Sequence, residues 1–121
     1  MENVIPPPFE PLSRLFRGDA ARVRRALEIF ERVTAEDLRQ LDAAYAGRDW
    51  ATIASLAHKM KSGCLQIGEA AAAAGLAFIE RTVATGGTAI DGEFATTRHE
   101  LDGVMMRIAD YLGTTNEAGG Q

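Results

Sequence analysis

The stretch Asp49-Trp50-Ala51-Thr52-Ile53-Ala54-Ser55-Leu56-Ala57-His58-Lys59-Met60-Lys61-Ser62-Gly63-Cys64-Leu65-Gln66-Ile67-Gly68 decides how the chain folds. Trp50, Ile53, Ala57, Met60 and Cys64 recur at steps of three and four, which puts them on one stripe of an α-helix. Asp49 precedes the stripe, where its carboxylate can accept from the first free backbone amides. Gly63 and Gly68 fall near its end and predict a break or kink there. At about 100° per residue, His58 lies roughly 120° from the centre of the stripe, on the flank or surface of the helix. Its same-face neighbours are Ala51, Ala54, Ser55, Lys61 and Ser62, most of them small, so the imidazole is open to something bulky.

The same spacing recurs on both sides. Val23, Leu27, Phe30, Thr34, Leu38, Leu41 and Tyr45 mark a helix that Asp19 can cap and that ends at Gly47. Ala72, Leu76, Ile79 and Val83 mark another, from about Gly68 to Ala84, and Gly86-Gly87 reads as a turn. Ile90, Phe94, Thr97, Leu101, Val104, Ile108 and Tyr111 mark a last one, ending at about Leu112. Pro11 to Arg17 predicts a short helix with Leu12, Leu15 and Phe16 facing inward, stopped by Gly18. No segment alternates with period two. Short connections between long helices favour antiparallel neighbours, so the expected fold is all-α: an up-down antiparallel four-helix bundle with a short additional N-terminal helix. Residues 1–10, with Pro6, Pro7 and Pro8, read as a stiff extended lead-in or linker, 11–113 as the bundle, and 114–121 as a flexible tail.

Composition narrows the function classes. The chain has 121 residues, 46% of them hydrophobic and 25% charged, ordinary for one globular domain. A net charge of −4 argues against general nucleic-acid binding. Cys64 is the one cysteine, which excludes an internal disulfide and a cysteine-built zinc cage, and its place on the apolar stripe makes it core packing. No apolar run approaches the roughly 20 residues a membrane helix needs, and no signal-like start is seen, so a cytoplasmic protein without membrane insertion is expected. His99 has no ligand-like partner at helical spacing beyond the adjoining Glu100 and reads as surface. Phe78 falls off the core line of its helix, and its size favours core through a shifted register.

His58 can carry chemistry. An imidazole with one free nitrogen is a nucleophile near neutral pH, because its ordinary pKa is about 6.5. A phosphoryl group added to it brings negative charge that a nearby cation stabilises. Lys61, three residues on, shares the adjoining surface, whereas Lys59 points elsewhere around the helix. An acceptor for the second ring nitrogen has to come from another helix.

The order Ala57-His58-Lys59-Met60-Lys61-Ser62-Gly63, with Gly68 after it, resembles the histidine-containing phosphotransfer (HPt) domains of multistep phosphorelays. The likeness extends to Leu15-Phe16-Arg17-Gly18-Asp19, Leu41-Asp42-Ala43-Ala44, Arg48-Asp49-Trp50 and Leu76 to Glu80, covering roughly Pro11 to Leu112. The resemblance implies His58 as phosphoacceptor, Lys61 as the lysine supporting the phosphoryl group, Glu80 as a group orienting the ring, and Gly68 as the glycine that lets the next helix pack closely. It implies a receiver domain of a response regulator or hybrid kinase as partner, docking around Ala54, Ser55, Lys59, Ser62 and Leu65. No cofactor would be bound by this chain; Mg²⁺ is expected on the receiver, and the module is expected to be a monomer without ATP-dependent kinase activity, since no phosphate-binding glycine loop is present. The family usually has glycine directly after the motif lysine. Here Ser62 stands there and Gly63 is shifted by one, which leaves room for a rival class: a helical adaptor that docks a receiver or kinase domain without phosphorylation. An enzyme acting on a metabolite would need a concave pocket around His58.

Overall fold

The computed structural model describes residues 9–119, with side-chain surroundings through Gly113. The prolines of the lead-in lie outside the described residues. Five helices follow in order: α1 (Glu10–Leu15), α2 (Ala20–Ala46), α3 (Trp50–Ile67), α4 (Ala70–Ala84) and α5 (Asp91–Gly119). Each long helix packs on its predecessor and α5 closes against α2, while α1 lies over α2 and α3. This is the all-α bundle that the four stripes demand.

The helix starts and stops follow local chemistry. Asp19 accepts from the Arg22 backbone N–H at 3.2 Å, and Asp49 accepts from both the Thr52 N–H at 3.2 Å and its hydroxyl at 2.7 Å. These hydrogen bonds hold the Asp49 carboxyl below its ordinary range. Gly68 closes α3 in the left-handed region at φ 86°, and the Glu69 N–H then reaches back to the Cys64 carbonyl at 2.8 Å. A residue with a Cβ is strained at that φ, so the sharp entry into α4 depends on glycine.

The core is built from the predicted stripes. Val23, Leu27, Ile53, Ala57, Cys64, Leu76, Ile79, Ile90, Leu101, Val104 and Ile108 are all 1% exposed or less. Five expectations change. Gly63 does not break α3; the helix runs on, and Gly63 lets the Phe30 ring of α2 approach to where a Cβ would sit 3.0 Å from it. Leu15 is 65% exposed, because α1 ends there and only Leu12 is fully buried. Phe78 is 40% exposed: its angular position on α4, not its size, decides the outcome. Phe9, assigned to the extended lead-in, is 1% exposed and sets its ring against Tyr111 of α5, with centroids 5.6 Å apart. The last helix also continues past Leu112 to Gly119.

α4 and α5 approach closely at a glycine. A Cβ on Gly75 would lie 2.2 Å from the Thr97 hydroxyl oxygen. Nearby, Arg107 of α5 pairs in fork geometry with the buried Glu69 carboxylate, at 2.7 and 3.1 Å, and ties the α3–α4 turn to α5.

Candidate functional site

α3 and α4 together assemble a three-residue constellation at the surface. On α3, the buried face of Leu56, Ala57 and Met60 fixes the helix rotation, and this turns His58 outward with its side chain 65% exposed. Glu80 of α4 sets its Oε2 at 2.8 Å from His58 Nδ1. Its other oxygen, Oε1, accepts from Lys61 Nζ at 2.9 Å. The Lys61 ammonium beside Glu80 is the main reason its carboxyl stays below the ordinary range; partial burial opposes this, and His58 adds to the lowering.

That pattern sets the ring's proton arrangement. An ionised carboxylate only accepts, so the nitrogen facing it carries the hydrogen. With Nδ1–H donated to Glu80, Nε2 keeps its lone pair. No hydrogen bond reaches Nε2 among the described residues, and it stands at the free edge of an exposed side chain. The arrangement offers a nucleophilic nitrogen, held in one tautomer, on an exposed side chain.

Other residues fall into place around it. Ser55 and Ser62 are exposed and Ala54 is half-buried on the same face, and Leu65 is 58% exposed one turn further along. Lys59 leaves the ring and crosses to α2, where Nζ meets Asp37 Oδ1 at 3.0 Å. Asp37 is a buried carboxylate that the sequence reading passed over. It lies three residues after Thr34 and four before Leu41, on the core face of α2, and a charge at such a position signals a cationic partner. Ile29 and Val33 of α2, both 40% exposed, line an apolar groove with Gly63, Gln66 and Ile67 of α3. Glu80 and Phe78 are two residues apart, roughly 160° around the helix, so Phe78 lies away from the site.

Lys61, the residue expected to support a phosphoryl group, lies against the same carboxylate that holds the ring. Its charge is engaged by Glu80, with both side chains 27% exposed. Gly68 serves as the left-handed cap of α3, and Gly75 marks a close approach of α4 to α5. His99 is exposed, and Cys64 is buried with its thiol pushed up to about 11, chiefly by burial. Among the described residues, no group of three or more histidine, cysteine, aspartate or glutamate side chains is placed to hold a metal ion, and no helix is long and apolar enough to cross a membrane.

The family model described as Hpt domain matches residues 25–112, from the first turns of α2 into α5, with His58, Lys61 and Glu80 inside the match. No curated protein and no solved structure matches the chain.

Proposed function

Because the chain belongs to the Hpt domain family, whose members are histidine phosphotransfer modules of phosphorelays, we propose that His58 is its phosphoacceptor. The carrying observation is the Nδ1–Glu80 hydrogen bond of 2.8 Å, which leaves Nε2 as the free nucleophile of an exposed ring. Nε2 would attack the phosphorus of an aspartyl phosphate on a receiver domain. The Nε2–P bond forms as the P–O bond to the aspartate breaks, and the electron pair leaves with that carboxylate. Attack on phospho-His58 by the aspartate of a second receiver reverses the step.

In this reading the receiver supplies Mg²⁺ and most of the charge stabilisation that phosphoryl transfer requires. This chain supplies the nucleophile, the Lys61 charge and a docking face of Ala54, Ser55, Ser62 and Leu65, extended by the exposed Ile29 and Val33. Lys59 contributes at the rim, where Asp37 fixes it. Apolar side chains left exposed beside a polar site suit a partner interface. The module acts as a monomer in the cytoplasm and has no ATP-dependent kinase activity of its own.

The test uses a ³²P-labelled receiver as donor. Wild-type protein takes up acid-labile, alkali-stable label, and His58→Gln takes up none. Wild type that stays unlabelled while still binding the receiver would instead identify an adaptor. Label taken from ATP by the isolated chain would contradict the absence of kinase activity.

A further inference from the structure

Glu80 is bonded twice: one oxygen holds the ring that would carry the phosphoryl group, and the other holds the lysine that would stabilise it. We propose that Glu80 is a positioning residue that raises the transfer potential of phospho-His58, so that the module hands its phosphoryl group on instead of storing it. This rests on the phosphoacceptor role of His58.

Two effects act in the same direction. First, once Nε2 bears phosphorus, a carboxylate facing Nδ1 stabilises the hydrogen that this nitrogen donates to it. A phosphoryl group on Nε2 of a protonated ring departs more readily, because the electron pair of the breaking N–P bond returns to a ring that is left neutral. Second, the carboxylate competes with the phosphoryl oxygens for Lys61. In the resting domain that competition is already won, with Nζ 2.9 Å from Oε1. The arriving phosphoryl group therefore meets a neutralised lysine and a nearby anion. A glutamine at position 80 would keep the size and an acceptor oxygen for Nδ1–H, but would release Lys61 and remove the charge.

The remaining charges around the ring do not duplicate this role. On α3, Lys59 is directed to Asp37 of α2 at 3.0 Å. On α4, Arg81 is the next residue and is exposed. α1 lies along the C-terminal half of α3 through Leu12, and its Glu10 and Arg14 pair with each other at 3.5 Å. Glu80 is the acidic group in contact with both His58 and Lys61.

Phosphoramidate, a small phosphodonor, tests this on the full chain without any partner. Nε2 displaces ammonia from phosphorus to form phospho-His58, and water later attacks the phosphorus to release inorganic phosphate and regenerate the ring. The lifetime of phospho-His58 is then measured from pH 5 to 9. Glu80→Gln is expected to lengthen the lifetime near neutral pH by about threefold, the scale of one unit charge acting about 6–7 Å away through bulk water. The midpoint of the pH dependence should also move to lower pH, because the amide no longer favours the ring proton. A purely structural role for Glu80 would leave that midpoint unchanged. Lys61→Met on the wild-type chain, which tests the same idea with Glu80 intact, should shorten the lifetime. The same change on top of Glu80→Gln should remove the part of the gain that the freed lysine supplies. Wild type labelled on His58, with Glu80→Gln matching it in lifetime and midpoint, overturns the inference while leaving the phosphoacceptor reading standing. Wild type that takes label from neither phosphoramidate nor a phosphorylated receiver overturns both.

Discussion

Gly75→Ala should destabilise the bundle, although alanine is the better helix former. In an exposed helix interior the exchange would gain up to about 1 kcal/mol of propensity. At Gly75 the new Cβ would stand 2.2 Å from Thr97 Oγ1 and 3.1 Å from both Thr97 Cβ and Cγ2. An ordinary carbon–oxygen contact is about 3.3 Å, so α4 and α5 have to separate by about 1 Å, or Thr97, 3% exposed, has to leave its rotamer. Overpacking of this kind costs about 1–3 kcal/mol, and the absence of any flexible side-chain end at the contact puts this case at the upper limit. Net of propensity, a loss of about 2 kcal/mol and a melting point lower by about 10 °C are expected. Urea and thermal unfolding followed by circular dichroism measure both. Gly92→Ala in α5, where a Cβ meets nothing within 4 Å, is the control and should be neutral or stabilising. Thr97→Ala in the Gly75→Ala background removes Oγ1 and Cγ2 and should recover part of the loss. A Gly75→Ala protein as stable as wild type, with Gly92→Ala behaving alike, would refute the packing argument.

Lys59→Met leaves the Asp37 carboxylate buried without its cation; because Lys59 is 59% exposed and water reaches the pair from that side, a loss of about 1–2 kcal/mol is expected, below that of a fully buried pair. Lys59→Met combined with Asp37→Leu should recover stability, as read from urea midpoints at constant m-value. The Glu80 carboxyl is held below its ordinary range in the folded state, by Lys61 first, so its contribution to stability is fully present above the unfolded-state value of about 4.3 and is lost as pH falls through the lower folded value. The stability gap between wild type and Glu80→Gln should therefore narrow as pH falls below about 4; a gap undiminished at pH 3 would contradict the charge assignment.

Helical periodicity made the architecture legible, because a stripe at steps of three and four specifies which face is covered whatever covers it. It failed where size and angle disagreed. Phe78 has the size of a core residue, but sits two positions after Leu76 and faces outward, with 40% exposure. Leu15 has the right spacing, but stands at the end of a six-residue helix with nothing above it. Asp37 was legible in principle, since a carboxylate in the middle of a core face requires a cation, yet Lys59 is 22 positions away and spacing within one helix cannot find it.

The same limit applies at the site and explains what determines it. His58 and Lys61 share α3, so their relation is one of helix geometry and can be read along the chain. Glu80 reaches both only if α4 has the correct slide and rotation against α3. Two features outside the constellation set these. The left-handed turn at Gly68, tied by Glu69 to Arg107 of α5, fixes where α4 begins. The contact of Gly75 with Thr97 fixes how closely α4 lies on α5, and hence which way its remaining face turns. A shift of about 1 Å at either place lengthens a hydrogen bond of 2.8 Å beyond useful range and frees the ring's tautomer. In the proposed reading, the glycines are thus part of what would make a lone histidine a defined nucleophile: they set the register that brings a carboxylate from the next helix to the imidazole.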